Sequence, residues 1–157
     1  MMHSAIEVEA VLKELSNAAH DVTFAAREMA KTQGDLAMFK ADELATAKRG
    51  SELVVNGATM EAYASGAVAG KNQAERDMQL IAYLAQHTGA MAAQAELNEA
   101  ERVAAQLDAD LTERQMAYKA ATYRLVAARA KSELMRAMID AGAQPEIEGE
   151  LQSEYGF

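Results

Sequence analysis

LNEAERVAAQLDADLTERQMAYKAATYRLVAARAKSELMRAMI, residues Leu97–Ile139, decides the fold of this chain. Read in steps of three and four, it gives Leu97, Ala100, Ala104, Leu107, Leu111, Arg114, Tyr118, Ala121, Leu125, Ala128, Ser132, Met135 and Ile139. Only Arg114 and Ser132 break an otherwise apolar row, and no Gly or Pro interrupts it. A row that repeats every 3.5 residues stays against a partner helix only when the two supercoil. The stretch is therefore read as a long coiled-coil helix. Its seam residues Leu97, Leu107, Leu111, Tyr118, Leu125 and Ile139 are expected to carry self-association. A helical rod offers little concave surface for chemistry, which moves the expectation from enzyme to interaction protein.

Working outward, the composition agrees. Ala makes up almost a quarter of the 157 residues, with 10 Met, 1 Pro and 5% aromatics. Ala and Met favour helix, and scarce aromatics suit a thin core between helices better than a thick globular one. The net charge of −9 repels nucleic acid and anionic membranes on average. Cys is absent, so disulfides and thiolate metal sites are excluded. The first residues, MMHSAIEVEA, have neither the basic nor the apolar region of a signal peptide. No apolar run is long enough to span a membrane, so a cytoplasmic location is expected.

The first long helix is read over 4–49, from a capping box of Ser4 and Glu7 to Lys48, Arg49 and Gly50. Its seam runs Val8, Leu12, Leu15, Ala19, Val22, Ala26 and Met29, and it softens near Gln33 and Gly34. Residues 50–72, holding Gly50, Asn56-Gly57, Gly66 and Gly70, read as a glycine-rich connector with a short helix over Thr59–Val68. Asn72 caps a second helical arm over 73–141, with Glu75 at N3 and an apolar face of Met78, Ile81, Ala82 and Ala85. This arm bends near 87–89 and is stopped by Gly142 and Pro145. The simplest closure is an all-α antiparallel hairpin.

Residues 142–157 form an acidic tail ending Tyr155-Gly156-Phe157. Its composition reads as a disordered, solvated segment. The sharper reading is a docking peptide, with Tyr155 and Phe157 entering a basic-rimmed pocket. In its last residues the tail resembles the acidic tips of bacterial single-strand-binding proteins, without their penultimate proline.

Catalytic chemistry finds no footing. The Gly66–Asn72 segment is one residue short of a phosphate-binding loop and has Asn72 where the magnesium-ligating hydroxyl belongs. Lys71 beside a helix N-terminus can attract an anion, but a cap with a solvated lysine explains the same residues. His3, His20 and His87 are scattered, without the converging ligands a metal needs. No cofactor, metal or catalytic residue is expected. The methionines read as pliable seam filler.

Gly70-Lys71-Asn72, Arg76-Asp77 and Gln79-Leu80 resemble the G-K-N-x-x-x-R-D-x-Q-L segment of small helical proteins encoded by bacteriophages and prophages. In that family it precedes a long heptad helix, and the likeness here covers Gly66 to Ile139. The resemblance implies an accessory of phage recombination or replication, working in the host cytoplasm.

The leading expectation is a non-enzymatic accessory or adaptor that self-associates and binds an unidentified protein partner. Gly70, Lys71, Asn72 and Arg76 are its candidate interaction residues, together with Tyr155 and Phe157. One alternative is weak contact with single-stranded nucleic acid through Lys48, Arg49, Lys71 and Arg76. Another is inhibition of a host or defence protein by an acidic rod.

Overall fold

A computed structural model describes the backbone of residues 5–154 and the side chains of residues 5–142. It consists of α1 (Ala5–Phe39), a five-residue π-helical turn (Lys40–Leu44), α2 (Ala45–Ala64), α3 (Gln73–Gln86) and α4 (Thr88–Glu154). There is no strand among the described residues. No described helix is long and apolar enough to cross a membrane. The chain divides into two compact units, one of residues 1–30 with 112–157 and one of residues 31–111.

In the first unit, α1 and α4 pair antiparallel. Val8, Val11 and Leu12 share a groove with Ser132, Met135, Arg136 and Ile139, while Ala10 to Asp21 line one with Arg124 and Ala127. The α4 row of Tyr118, Ala121, Leu125, Ala128, Ser132 and Met135 faces inward; Ala121 and Ala128 are buried and the others half-buried. On α1 the inward row is Val8, Val11, Leu15, Ala18, Val22, Ala25 and Met29. The expected heptad positions Val8, Leu15, Val22 and Met29 are therefore in place. The intervening positions that are buried lie three residues on, at Val11 and Ala18, and not four residues on, at Leu12 and Ala19, while further along Ala25 and Ala26 are both half-buried. The charge pattern agrees with the row observed. Glu7, Glu14, Asp21 and Glu28 recur every seven residues along one edge of α1, and Arg124 and Lys131 along the facing edge of α4. Lys131 Nζ donates to Glu14 Oε2 at 2.9 Å, an exposed pair that fits this rotation, in which Leu12 is exposed.

In the second unit the helical path does not end at Lys48–Gly50. It runs through Gly50 and Gly57 to Ala64, so the expected connector of residues 50–72 shrinks to residues 65–72. A glycine inside a helix costs roughly 1 kcal/mol relative to Ala, and here Ser51, Ala58 and Ala62 are buried on the same turns. The soft spot expected at Gln33–Gly34 is ordinary α-helix. The irregularity lies instead in the π turn, and the burial pattern explains it. Leu36 is buried and Phe39 half-buried, and an uninterrupted heptad frame would next bury Glu43, Gly50 and Gly57. The buried residues are Leu44, Ser51 and Ala58, each one position later. A π turn inserts one extra residue into the helix, and this one resets the frame from a glutamate and two glycines to a leucine, a serine and an alanine.

Opposite this slip, α4 keeps one frame. Ala90, Ala93, Leu97, Ala100, Ala104, Leu107 and Leu111 are buried or half-buried in sequence. Phe39 and Glu43 share a groove with Ala95, Ala100 and Val103, and Thr46 to Gly50 share one with Glu96. The stripe expected to join copies of the chain is thus used inside it, since a partner on the same chain is always at high effective concentration. Arg114 and Ile139 remain exposed.

The expected stop at Gly142 and Pro145 does not occur, and α4 continues to Glu154. A proline inside a helix removes one ladder bond and crowds the carbonyl four residues back, at a cost of about 3 kcal/mol, and the backbone of α4 carries on past Pro145 nonetheless. The segment read as a disordered acidic tail is therefore helical over most of its length. Ser4, Tyr155 and Phe157 lie outside the described residues.

Candidate functional site

The eight residues between α2 and α3 hold Gly70, Lys71 and Asn72, and their conformation follows from satisfying backbone donors. At the end of α2, Ser65 N–H donates to Glu61 O (2.8 Å) and Gly66 N–H to Tyr63 O (3.3 Å). Gly66 takes φ +80°, a left-handed turn that ends the helix. The chain then folds back so that Val68 N–H reaches Ala62 O at 3.2 Å, burying Val68 over the last turn.

From there α3 holds the loop. Asn72 is the N-cap, its Oδ1 accepting from Glu75 N–H at 2.9 Å. Glu75 reaches back and accepts from Lys71 N–H at 2.9 Å. A second hook lies one turn on. The single carboxamide oxygen of Gln79 accepts from both Ala69 N–H and Gly70 N–H, each at 2.9 Å. Arg76 Nη1 donates to Gly70 O (3.3 Å) and Nη2 to Gln73 Oε1 (3.3 Å), and Gln73 donates to Asp77 (2.6 Å). Gly70 has no alternative here, because a Cβ would lie 2.6 Å from Glu75 Cβ and 3.0 Å from Arg76 N.

Three of the four candidate residues at this loop and the first turn of α3, Gly70, Asn72 and Arg76, are thus brought together and spent on the loop's own architecture. The amides of Ala69, Gly70, Lys71 and Glu75 are taken by side-chain oxygens of Gln79, Glu75 and Asn72. The lysine side chain of Lys71 is exposed, as are Lys48 and Arg49. Arg76 is half-buried with its guanidinium engaged, which removes it from the expected basic rim. Gln79 is the residue the sequence reading passed over. Its signal is spacing: Asn72, Arg76 and Gln79 recur at four and three residues, one face of α3 aimed at the loop.

That clamp fixes the rotation of α3 about its axis and reverses the expected burial. Arg76, Leu80, Tyr83 and Leu84 are half-buried. Met78, Ile81, Ala82 and Ala85, expected to face the core, are exposed. Two stripes of α3 have helical spacing, and the polar hooks choose which one is covered.

His87 closes the other end of α3. Its backbone is extended (φ −77°, ψ 113°) and separates α3 from α4. Ala90 N–H donates to Nδ1 at 3.0 Å, so the imidazole caps α4. Nδ1 must then be the acceptor, which assigns the ring proton to Nε2, facing Glu61 Oε2 at 3.2 Å. Tyr83 lies against the ring at a centroid distance of 5.8 Å. One side chain thus ties α2 to the start of α4. No group of three or more His, Asp or Glu that could hold a metal occurs among the described residues.

Compared with family models, curated proteins and solved structures, the chain finds no match.

Proposed function

We propose that this chain is a non-enzymatic helical accessory or adaptor protein of the bacteriophage type, acting through protein–protein contacts and self-associating. The observation that carries the reading is the outward stripe of α3. Met78 and Ile81 are 72% and 69% exposed, and with Ala74 and Ala85 they recur at steps of four, three and four. A helix with one face clamped and an apolar stripe turned to solvent is built to receive another surface. On the neighbouring α2, Leu53 and Met60 are also exposed and seven residues apart. The likeness of the Gly70–Leu80 segment to phage-encoded helical proteins supports the same reading, and a host-cytoplasmic location goes with it.

The test is a double substitution, Met78→Glu with Ile81→Glu. Both side chains are exposed, so helicity and melting are expected to stay as in the parent. Capture of protein partners from infected cells by the tagged chain should be lost. If the folded variant captures the same partners as the parent, α3 is not the contact surface. Salt-sensitive retention on single-stranded DNA that survives the substitutions would favour the nucleic-acid accessory instead.

A further inference from the structure

The inward face of α4 is not its only heptad row. Within the unit of residues 1–30 and 112–157, a second one runs Met116, Ala120, Tyr123, Ala127, Ala130, Leu134, Ala137 and Ala141. Its steps are four, three, four, three, four, three and four, the same alternation as the inward seam. No charged or amide side chain interrupts it over about 37 Å of helix at 1.5 Å per residue. All eight residues are exposed, with Met116, Tyr123 and Leu134 at 66%, 73% and 62%. The equivalent row on α1 reads Ile6, Ala10, Lys13, Asn17, His20, Phe24 and Arg27, a mixed surface that calls for no partner. The apolar row belongs to α4 alone.

We infer that this outward row is the surface through which two copies of the chain pair, α4 against α4 and antiparallel. The inference deepens the self-association part of the proposed function and rests on it. Three features select this occupant. Copies of a chain carrying −9 repel one another, and an uncharged stripe is where they approach at least cost. Full antiparallel overlap also matches side-chain sizes. Met116 falls opposite Ala141, Ala120 opposite Ala137, Tyr123 opposite Leu134, and Ala127 opposite Ala130, so the two alanine pairs admit close helix approach.

The third feature is charge at the flanks. In the antiparallel register Lys119 meets the partner's Asp140, twice by symmetry. A parallel register would set Lys119 beside the partner's Arg124 instead. The antiparallel pairing also brings Arg124 towards the partner's Lys131. Each chain screens that approach itself, because Glu14 already holds Lys131 at 2.9 Å and Asp21 lines the same groove as Arg124.

The chain has no cysteine, so engineered pairs report register directly. Ala120→Cys and Ala137→Cys are made as separate full-length variants. An equal mixture is expected to form the mixed disulfide on mild oxidation, while each variant alone is not. Like-with-like cross-links would overturn the antiparallel arrangement. In parallel, Tyr123→Glu with Leu134→Glu should keep the parent's helicity and weaken dimerisation about 100-fold or more, since each carboxylate would enter an apolar seam. Sedimentation of that variant should then give the 16.9 kDa monomer. If it sediments as the parent does, the outward row is not the interface, although self-association stands. If the parent itself is monomeric at micromolar concentration, both readings fall.

Discussion

Deleting Ala41 from the π turn should leave the protein at least as stable as the parent, whereas deleting Thr46, five residues on, should cripple it. The turn exists because the frame set by Leu36 reaches Glu43, Gly50 and Gly57, while the residues fit for burial are Leu44, Ser51 and Ala58. Without Ala41, those three residues fall into the frame by themselves and plain α-helix can replace the π turn. The gain is one regular ladder bond, about 0.5–1.5 kcal/mol. Deleting Thr46 keeps the π turn but carries Glu52, Thr59 and Tyr63 into the places of buried Ser51, Ala58 and Ala62. Tyrosine in the place of a fully buried alanine overpacks by about 1–3 kcal/mol, and an unpaired carboxylate adds a cost of similar or greater size. A loss on the order of 4 kcal/mol corresponds to roughly 8–16 °C for a chain of this length. Thermal melts followed by circular dichroism at equal protein concentration measure both variants. Equal melting temperatures for the two deletions would show that the π turn does not set the frame.

Other substitutions probe the remaining parts. Gly57→Ala, where an added Cβ meets nothing within 4 Å, should stabilise by about 1 kcal/mol, while Gly70→Ala should destabilise because the same atom would meet Glu75 Cβ at 2.6 Å; urea titrations read both. Asn72→Ala should cost about 1 kcal/mol through loss of the N-cap, and slow amide exchange at Glu75 should be lost with it. Leu125→Asp, in the inward seam of α4, should cost on the order of 2–5 kcal/mol, whereas exposed Glu101→Gln should melt as the parent does. The Arg102 guanidinium, hydrogen-bonded to Glu99 at 2.8 and 2.9 Å, holds that carboxyl below the usual glutamate range. The ion pair's contribution is therefore present above the unfolded-state value and fades as pH falls through the folded one. Carboxyl NMR titration should place Glu99 back among the ordinary glutamates in Arg102→Ala.

How far the chain could be read depended on what kind of signal each part carries. The inward row of α4 was visible because one apolar repeat persists from Leu97 to Met135, broken only at Arg114 and Ser132, but its spacing did not say whether it meets α1 or another copy of the chain. The α1 row was half visible. Val8, Leu15, Val22 and Met29 belong to either choice of intervening positions, and the sequence feature that agrees with the row observed is the acidic edge at Glu7, Glu14, Asp21 and Glu28 against Arg124 and Lys131. Glycine counting misled over residues 50–64, because propensity records the cost of Gly50 and Gly57 but not the burial of Ser51, Ala58 and Ala62 beside them. At the loop, Asn72 and Glu75 were legible as local cap chemistry. The Gln79 hook and the His87–Glu61 contact were not, since each depends on where a distant part of the chain returns. The reversed face of α3 follows from those hooks and could not be read from hydrophobic spacing.

No large side chain is completely buried among the described residues, and most of the most hidden apolar positions are alanines such as Ala58, Ala62, Ala121 and Ala128. Unfolding therefore releases little new apolar surface to water for each residue that melts. The heat capacity increment should fall below the roughly 12–15 cal/mol/K per residue typical of globular domains. A small increment flattens the dependence of stability on temperature. Such a chain resists cold as well as moderate heat, without reaching a high maximum at any temperature between.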